Sequence, residues 1–152
     1  MTPGYGEGKA LISKKPFMFA HGVEPRTGEI IDIRSDLLGE NIRGKVLIFP
    51  FGKGSTTGSA WFLETIRRGN GPSAVINVET ESIIASAIVM ARLLYGITIP
   101  LVDRLEEDIS EMVTKETIIQ VNGDTGEIRM VSGYSPNTTQ YCLQDWTRKV
   151  AR

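Results

Sequence analysis

The chain has 152 residues, 41% of them hydrophobic and 23% charged, with a formal net charge of −1, which fits one soluble globular domain with a real core. That balance marks no nucleic-acid or membrane surface, and the longest apolar run, Ile83 to Tyr95 with Ser86 and Arg92 inside it, is too short to cross a bilayer. A single cysteine, Cys142, excludes an internal disulfide, and a single histidine, His21, leaves little for a zinc site or a Ser-His-Asp triad, so metal or acyl-transfer chemistry has to be supplied from elsewhere.

The first residues, Met1-Thr2-Pro3-Gly4, lack the basic and apolar regions of a signal peptide, and a cytoplasmic setting is the expectation. Alternation and β-branched content predict strands over Lys9–Ser13, Glu29–Ile33, Lys45–Phe51, Ala74–Val78, Thr98–Val102, Thr117–Val121 and Glu127–Val131. A helix is predicted over Ser59–Arg68, apolar at Ala60, Phe62, Leu63 and Ile66 and stopped by Gly69, with Arg67 and Arg68 at the negative end of its dipole. A second helix is predicted over Glu81–Leu94, with Thr80 as N-cap and Gly96 and Pro100 beyond its end. Its apolar residues cover much of its surface, so it is expected to be largely buried.

Asn122-Gly123-Asp124-Thr125-Gly126 is a strong turn signal that makes the last two strands a hairpin. Strands alternating with helices in the middle imply right-handed crossovers and a partly parallel sheet, within an α/β barrel or sandwich. Residues 1–134 are read as the folded domain. The polar tail 135–152, with isolated Tyr141, Leu143 and Trp146, is read as a frayed end or a short helix that docks on a partner.

The sharpest feature joins a predicted strand to a predicted helix: Phe49-Pro50-Phe51-Gly52-Lys53-Gly54-Ser55-Thr56-Thr57-Gly58-Ser59. Its glycines let the backbone turn tightly and approach a ligand. Four hydroxyls, on Ser55, Thr56, Thr57 and Ser59, crowd into five residues at the positive end of the following helix dipole. The spacing fits neither a Walker A loop nor the dinucleotide fingerprint. Residue chemistry alone leaves two readings, a structural turn or a binder of an anionic group.

Gly44-Lys-Val-Leu-Ile-Phe-Pro50, Gly52-Lys-Gly-Ser-Thr-Thr-Gly-Ser59, Ala74-Val-Ile-Asn-Val-Glu-Thr-Glu-Ser-Ile-Ile84 and the upstream Gly22-Val-Glu-Pro-Arg-Thr-Gly-Glu-Ile-Ile-Asp32 together resemble the aconitase X small subunit over roughly residues 6 to 131. The resemblance implies a single swivelling β/β/α barrel-like domain of the aconitase small-domain type. It implies a heteromeric hydro-lyase whose large subunit holds an iron–sulfur cluster that acts as Lewis acid on the departing hydroxyl. It also implies a small β-hydroxy acid as substrate, cis-3-hydroxy-L-proline or 5-phosphomevalonate, and the stretch Leu94-Tyr-Gly-Ile-Thr-Ile-Pro100 tilts toward the hydroxyproline branch.

By the same resemblance Ser55 is the general base, an alkoxide that removes the proton next to the substrate carboxylate. Gly54, Thr56, Thr57, Gly58, Ser59 and Lys53 are implied to surround the substrate, with backbone amides steadying the alkoxide. Thr57 stands where aconitases proper carry a substrate-binding arginine, so that residue's recognition of a carboxylate does not carry over. His21 falls where the family more often shows a Gly-Gly pair, which puts it either at the mouth of the site or on the surface as a capping residue. Glu79, Thr80 and Glu81 are read as helix-capping residues, Asp32 and Arg34 as orienting a turn, and Cys142 as a packing residue or free thiol. The alternatives to a dehydratase subunit are a non-catalytic phosphate- or carboxylate-binding module using the same loop, and a phosphohistidine carrier, for which His21 is poorly placed.

Overall fold

The computed structural model describes residues 2–105 and 109–131. Its elements are β1 (Tyr5–Ile12), β2 (Val46–Phe49), α1 (Thr57–Arg67), β3 (Ala74–Asn77), α2 (Ser82–Tyr95), β4 (Leu101–Asp103), β5 (Ile118–Asn122) and β6 (Glu127–Val131), with a short 3-10 turn at Ile109–Glu111. The strands form one sheet in the order β4-β3-β2-β1-β5-β6. β1 to β4 are parallel, and β5 and β6 add an antiparallel hairpin beside β1. The mixed α/β class and the partly parallel sheet are as the residue pattern implies.

β2 and β3 are buried at every position, which is why they read as unbroken apolar runs and do not alternate. Leu11, Leu47, Phe49, Val75 and Leu101 point to one face, where they join Phe62, Ile66, Ile84 and Ile88 of the two helices. Ala10, Val46, Ile48, Ile76 and Val102 point to the other, where they meet Ile119, Val121 and Ile128 of the hairpin. Strands from both ends of the sheet, β4 and β6, thus feed one cluster, so the sheet curls around it as a half-barrel.

No helix forms in the long crossover from β1 to β2. Phe17, Phe19, Val23, Ile30, Leu37 and Ile42 cover the sheet there as a helix would. The predicted strand Glu29–Ile33 is therefore corrected: only two isolated bridges form, Val23 with Ile30 and Glu29 with Asn41, each to a different partner. Turns through 24–27 and the positive φ of Gly28 leave no length for a ladder. β4 also starts later than predicted, at Leu101, because Pro100 offers no amide to pair.

α2 is buried at Ile84, Ala87, Ile88 and Ala91, but Val89, Met90, Leu93, Leu94 and Tyr95 are exposed, which corrects the expectation of a largely buried helix. α1 and the crossover take up the apolar face of the sheet, so one side of α2 finds nothing to pack on. Among the described residues no helix is long and apolar enough to cross a membrane. The tail 135–152, with Cys142, lies outside the described residues.

Candidate active-site loop

The Gly/Ser/Thr segment leaves the carboxyl end of β2 and enters α1, and it is pinned on two sides. On one side the Pro50 carbonyl accepts the amides of Val78 (3.0 Å) and Glu79 (3.1 Å), tying the ends of β2 and β3 together. On the other, Phe17 donates its amide to the Phe51 carbonyl (3.0 Å) and accepts the Lys53 amide on its own carbonyl (2.8 Å).

Two glycines are needed for different reasons. A Cβ on Gly52 would stand 2.7 Å from Ile84 Cδ1 and 3.3 Å from Glu81 Oε2, so the loop backbone can lie against α2 only without a side chain. Gly54 has open space around it but a φ of +137°, a backbone conformation that side chains disfavour.

Beyond Gly54 the chain turns into α1 without a side-chain cap from Thr56. Thr56 is already helical (φ −53°, ψ −25°) and its hydroxyl makes no capping bond. Gly58 donates to the Ser55 carbonyl at 2.8 Å, and Ser59 donates both its amide and its Oγ to the Thr56 carbonyl at 3.1 and 3.2 Å. Among the described residues the amides of Gly54, Ser55, Thr56 and Thr57 donate to nothing, nor do the hydroxyls of Ser55, Thr56 and Thr57. Lys53 through Thr57 are exposed, whereas Gly58 is buried against Ile83, 3.3 Å from where its Cβ would lie. A cluster of free N–H groups at a helix start beside exposed hydroxyls is chemically an anion cradle.

A cavity of about 280 Å³ opens beside this loop at the carboxyl ends of β1, β2 and β3, the edge where α/β sheets bind ligands. Ser13, Pro50, Asn77, Leu105 and Ile109 are among its lining. It meets the loop only at Pro50, and the free donors lie on the loop itself. Buried Asn77 donates to the Glu79 carbonyl (3.0 Å) and accepts the Thr80 hydroxyl (2.8 Å). Thr80 therefore braces Asn77 and does not cap α2. Its place as N-cap is taken by Glu81, in extended backbone and without a side-chain bond, and Glu81 also lies against Gly52.

His21 sits at φ 57° with its ring centroid 4.5 Å from that of Trp61 on α1, whose indole Nε1 donates to the Val23 carbonyl. This ring packing fixes His21 to the flank of α1.

One group was not evident as a site from the residues. Asp32 Oδ1 accepts both the Arg34 amide (3.0 Å) and Arg34 Nε (3.2 Å). The Arg34 amide, its side chain and the nearby Lys53 ammonium hold the Asp32 carboxyl below its usual range. Asp32 and Lys53 are distant in sequence, so no local pattern joins them.

Among the described residues no three His, Cys, Asp or Glu side chains gather as a metal centre requires.

The model of the aconitase X swivel domain matches residues 1–130. The phosphomevalonate dehydratase small subunit of Methanosarcina acetivorans is 41% identical over 131 residues, covering 86% of this chain and 87% of that protein. The phosphomevalonate dehydratase small subunit of Pyrococcus furiosus is 40% identical over 132 residues, covering 87% and 92%. The crystal structure of Thermococcus kodakaraensis aconitase X in its holo-form superposes with a TM-score of 0.77 at 35% identity, covering 86% of this chain and 93% of that one. A matched model over most of the chain, relatives near 40% identity and a shared fold agree: this chain belongs to the aconitase X swivel-domain family.

Proposed function

We propose that this chain is the small subunit of a heteromeric dehydratase, a hydro-lyase acting on a phosphorylated β-hydroxy acid of the 5-phosphomevalonate type. The observation that carries the reading is the exposed loop with unengaged amides at Gly54, Ser55, Thr56 and Thr57 around an unengaged Ser55 hydroxyl. The relatives named above supply the substrate class.

In this reading Ser55 is the general base. Its alkoxide takes the proton from the carbon next to the substrate carboxylate, the C–H electron pair forms the new double bond as the C–O bond breaks, and the departing hydroxide becomes water with a proton equivalent to the one Ser55 took up, which restores the alkoxide. A serine alkoxide is tolerable only where donors are already aimed at it, because reorganising water around it is slow and costly. The loop amides and the start of α1 fill that role. Thr56, Thr57 and Ser59 offer hydroxyls to the substrate, and Gly52, Gly54 and Gly58 let the backbone come close.

We assign the iron–sulfur cluster that the family implies to the large subunit, since the single cysteine of this chain, Cys142, cannot by itself supply a cluster's thiolates. The large subunit is the partner that completes the site over the exposed loop. His21, its ring packed at a tilt against Trp61, is assigned to the rim of that contact and not to the chemistry.

The test is reconstitution. Mixing the purified chain with its large subunit is expected to produce water loss from 5-phosphomevalonate, with cis-3-hydroxy-L-proline assayed in parallel, while the chain alone is inactive. Turnover by the chain alone, or a complex that dehydrates neither acid, contradicts the reading.

A further inference from the structure

Three chain segments converge beside the active-site loop. The Asp32 amide donates to the Gly22 carbonyl at 3.3 Å, bringing residues 30–34 onto the turn that follows Phe17, and the Phe17 carbonyl in turn holds the Lys53 amide at 2.8 Å. From the end of β1, Lys15 Nζ donates to the Arg34 carbonyl at 3.2 Å. Lys15 thus stands at the Arg34 backbone, and the Lys53 ammonium lies near enough to Asp32 to act on its carboxyl, so three cations, Lys15, Arg34 and Lys53, surround Asp32.

Asp32 does not neutralise this group so much as orient it. Its side chain is only 16% exposed, whereas that of Arg34 is 67% exposed. Because Asp32 engages Arg34 through Nε, the two terminal nitrogens of the guanidinium are left to solvent. A guanidinium fixed at one edge and open at its fork is the geometry that takes two phosphate oxygens at once. The nearby Asp36 is committed to the Ser13 hydroxyl (2.6 Å) and the Lys14 amide (2.8 Å), and Lys14 to Glu111 (3.3 Å). Two further acidic residues adjoin the loop, Glu81 against Gly52 at the start of α2 and Glu79, whose amide donates to the Pro50 carbonyl.

We propose that Arg34, held by Asp32 and helped by Lys53 and Lys15, is the binding site for the phosphate group of the substrate, a specificity-determining cluster supplied by this small subunit. The inference rests on the dehydratase reading above, and it adds which residues separate a phosphorylated acid from an unphosphorylated one. The position of Thr57 leaves the loop without an arginine, and the crossover between β1 and β2 provides one from outside it.

The reconstituted complex provides the test. Arg34→Gln is expected to raise KM for 5-phosphomevalonate roughly 10- to 100-fold, the loss of one or two charge-assisted hydrogen bonds, with kcat reduced far less. Arg34→Lys should recover part of the loss, since it restores charge without the fork. Inorganic phosphate should bind the wild-type complex, measured by calorimetry without turnover, and bind the Arg34→Gln complex more weakly by a similar factor. Ser55→Ala should leave phosphate binding intact. Unchanged KM and unchanged phosphate affinity in Arg34→Gln overturn the assignment of the cluster. A wild-type complex that binds phosphate through Arg34 but dehydrates nothing overturns the dehydratase reading instead, so the two failures are told apart.

Discussion

The Lys53 amide donates to the carbonyl of Phe17 at 2.8 Å, and this bond fixes the candidate active-site loop to the crossover that covers the sheet. Phe17 is itself wedged between the rings of Phe19 (5.0 Å, edge-on) and Phe49 (5.4 Å), at 2% exposure. Loop position and core packing are therefore one property.

Phe17→Ala should lower stability by about 3–5 kcal/mol, as for other buried phenylalanines. It should also lower the activity of whatever complex still assembles, since the Phe17 carbonyl that accepts the Lys53 amide loses the buried ring that holds it in place. Denaturant unfolding of the purified chain measures the first effect and kcat of the reconstituted complex the second. A loss of stability with full kcat would separate the two.

Gly52→Ala places a Cβ 2.7 Å from Ile84 Cδ1, so it should push the loop off α2 and reduce activity. The second substitution Ile84→Val removes the offending methyl, and the double variant should recover activity relative to Gly52→Ala alone. At Gly54 no such rescue exists, because the obstacle is a φ of +137° and not a neighbour. Gly54→Ala should cost about 1–3 kcal/mol of backbone strain wherever the loop keeps its shape. Thermal unfolding and steady-state rates across the three variants check both expectations.

Asp32 carries a pH signature. Its hydrogen bonds from the Arg34 amide and side chain, with Lys53 nearby, hold its folded pKa below the ordinary value of 3.8. The unfolded chain then binds the proton more readily than the native one. The stabilisation by this carboxylate is present above the unfolded pKa, near 4, and is lost as pH falls through the lower folded value. Wild type should exceed Asp32→Asn in unfolding free energy at neutral pH, and the gap should shrink as pH falls below about 4. A gap that is constant down to pH about 2 contradicts this.

What could be read in the residues, and what could not, divides by range. β2, β3, both helices and the hairpin are local patterns, and they appear close to where periodicity and turn chemistry place them. β1 begins at Tyr5, earlier than its pattern suggests, because Gly6 and Gly8 look like strand breakers. They are required there: a Cβ on Gly6 would meet the Ser73 carbonyl oxygen at 2.0 Å and one on Gly8 the Gly44 carbonyl oxygen at 2.3 Å. Glu29–Ile33 carries a strand's composition but bridges two partners instead of pairing with a strand. The apolar pattern of α2 cannot distinguish a buried helix from one with an uncovered side. The loop around Ser55 is conspicuous because its hydroxyls and glycines are contiguous. Arg34 is not, since its meaning depends on Asp32, on Lys15 and on a lysine nineteen residues further along the chain.

The most direct measurement is kcat of the complex reconstituted with Ser55→Ala. The Ser55 side chain is exposed and engages no other group among the described residues, so the substitution should leave folding and assembly untouched. Loss of a positioned general base predicts a fall in kcat of roughly 10²- to 10⁴-fold with substrate still bound. A variant that assembles normally and turns over 5-phosphomevalonate within a few-fold of wild type would show that the proton goes elsewhere.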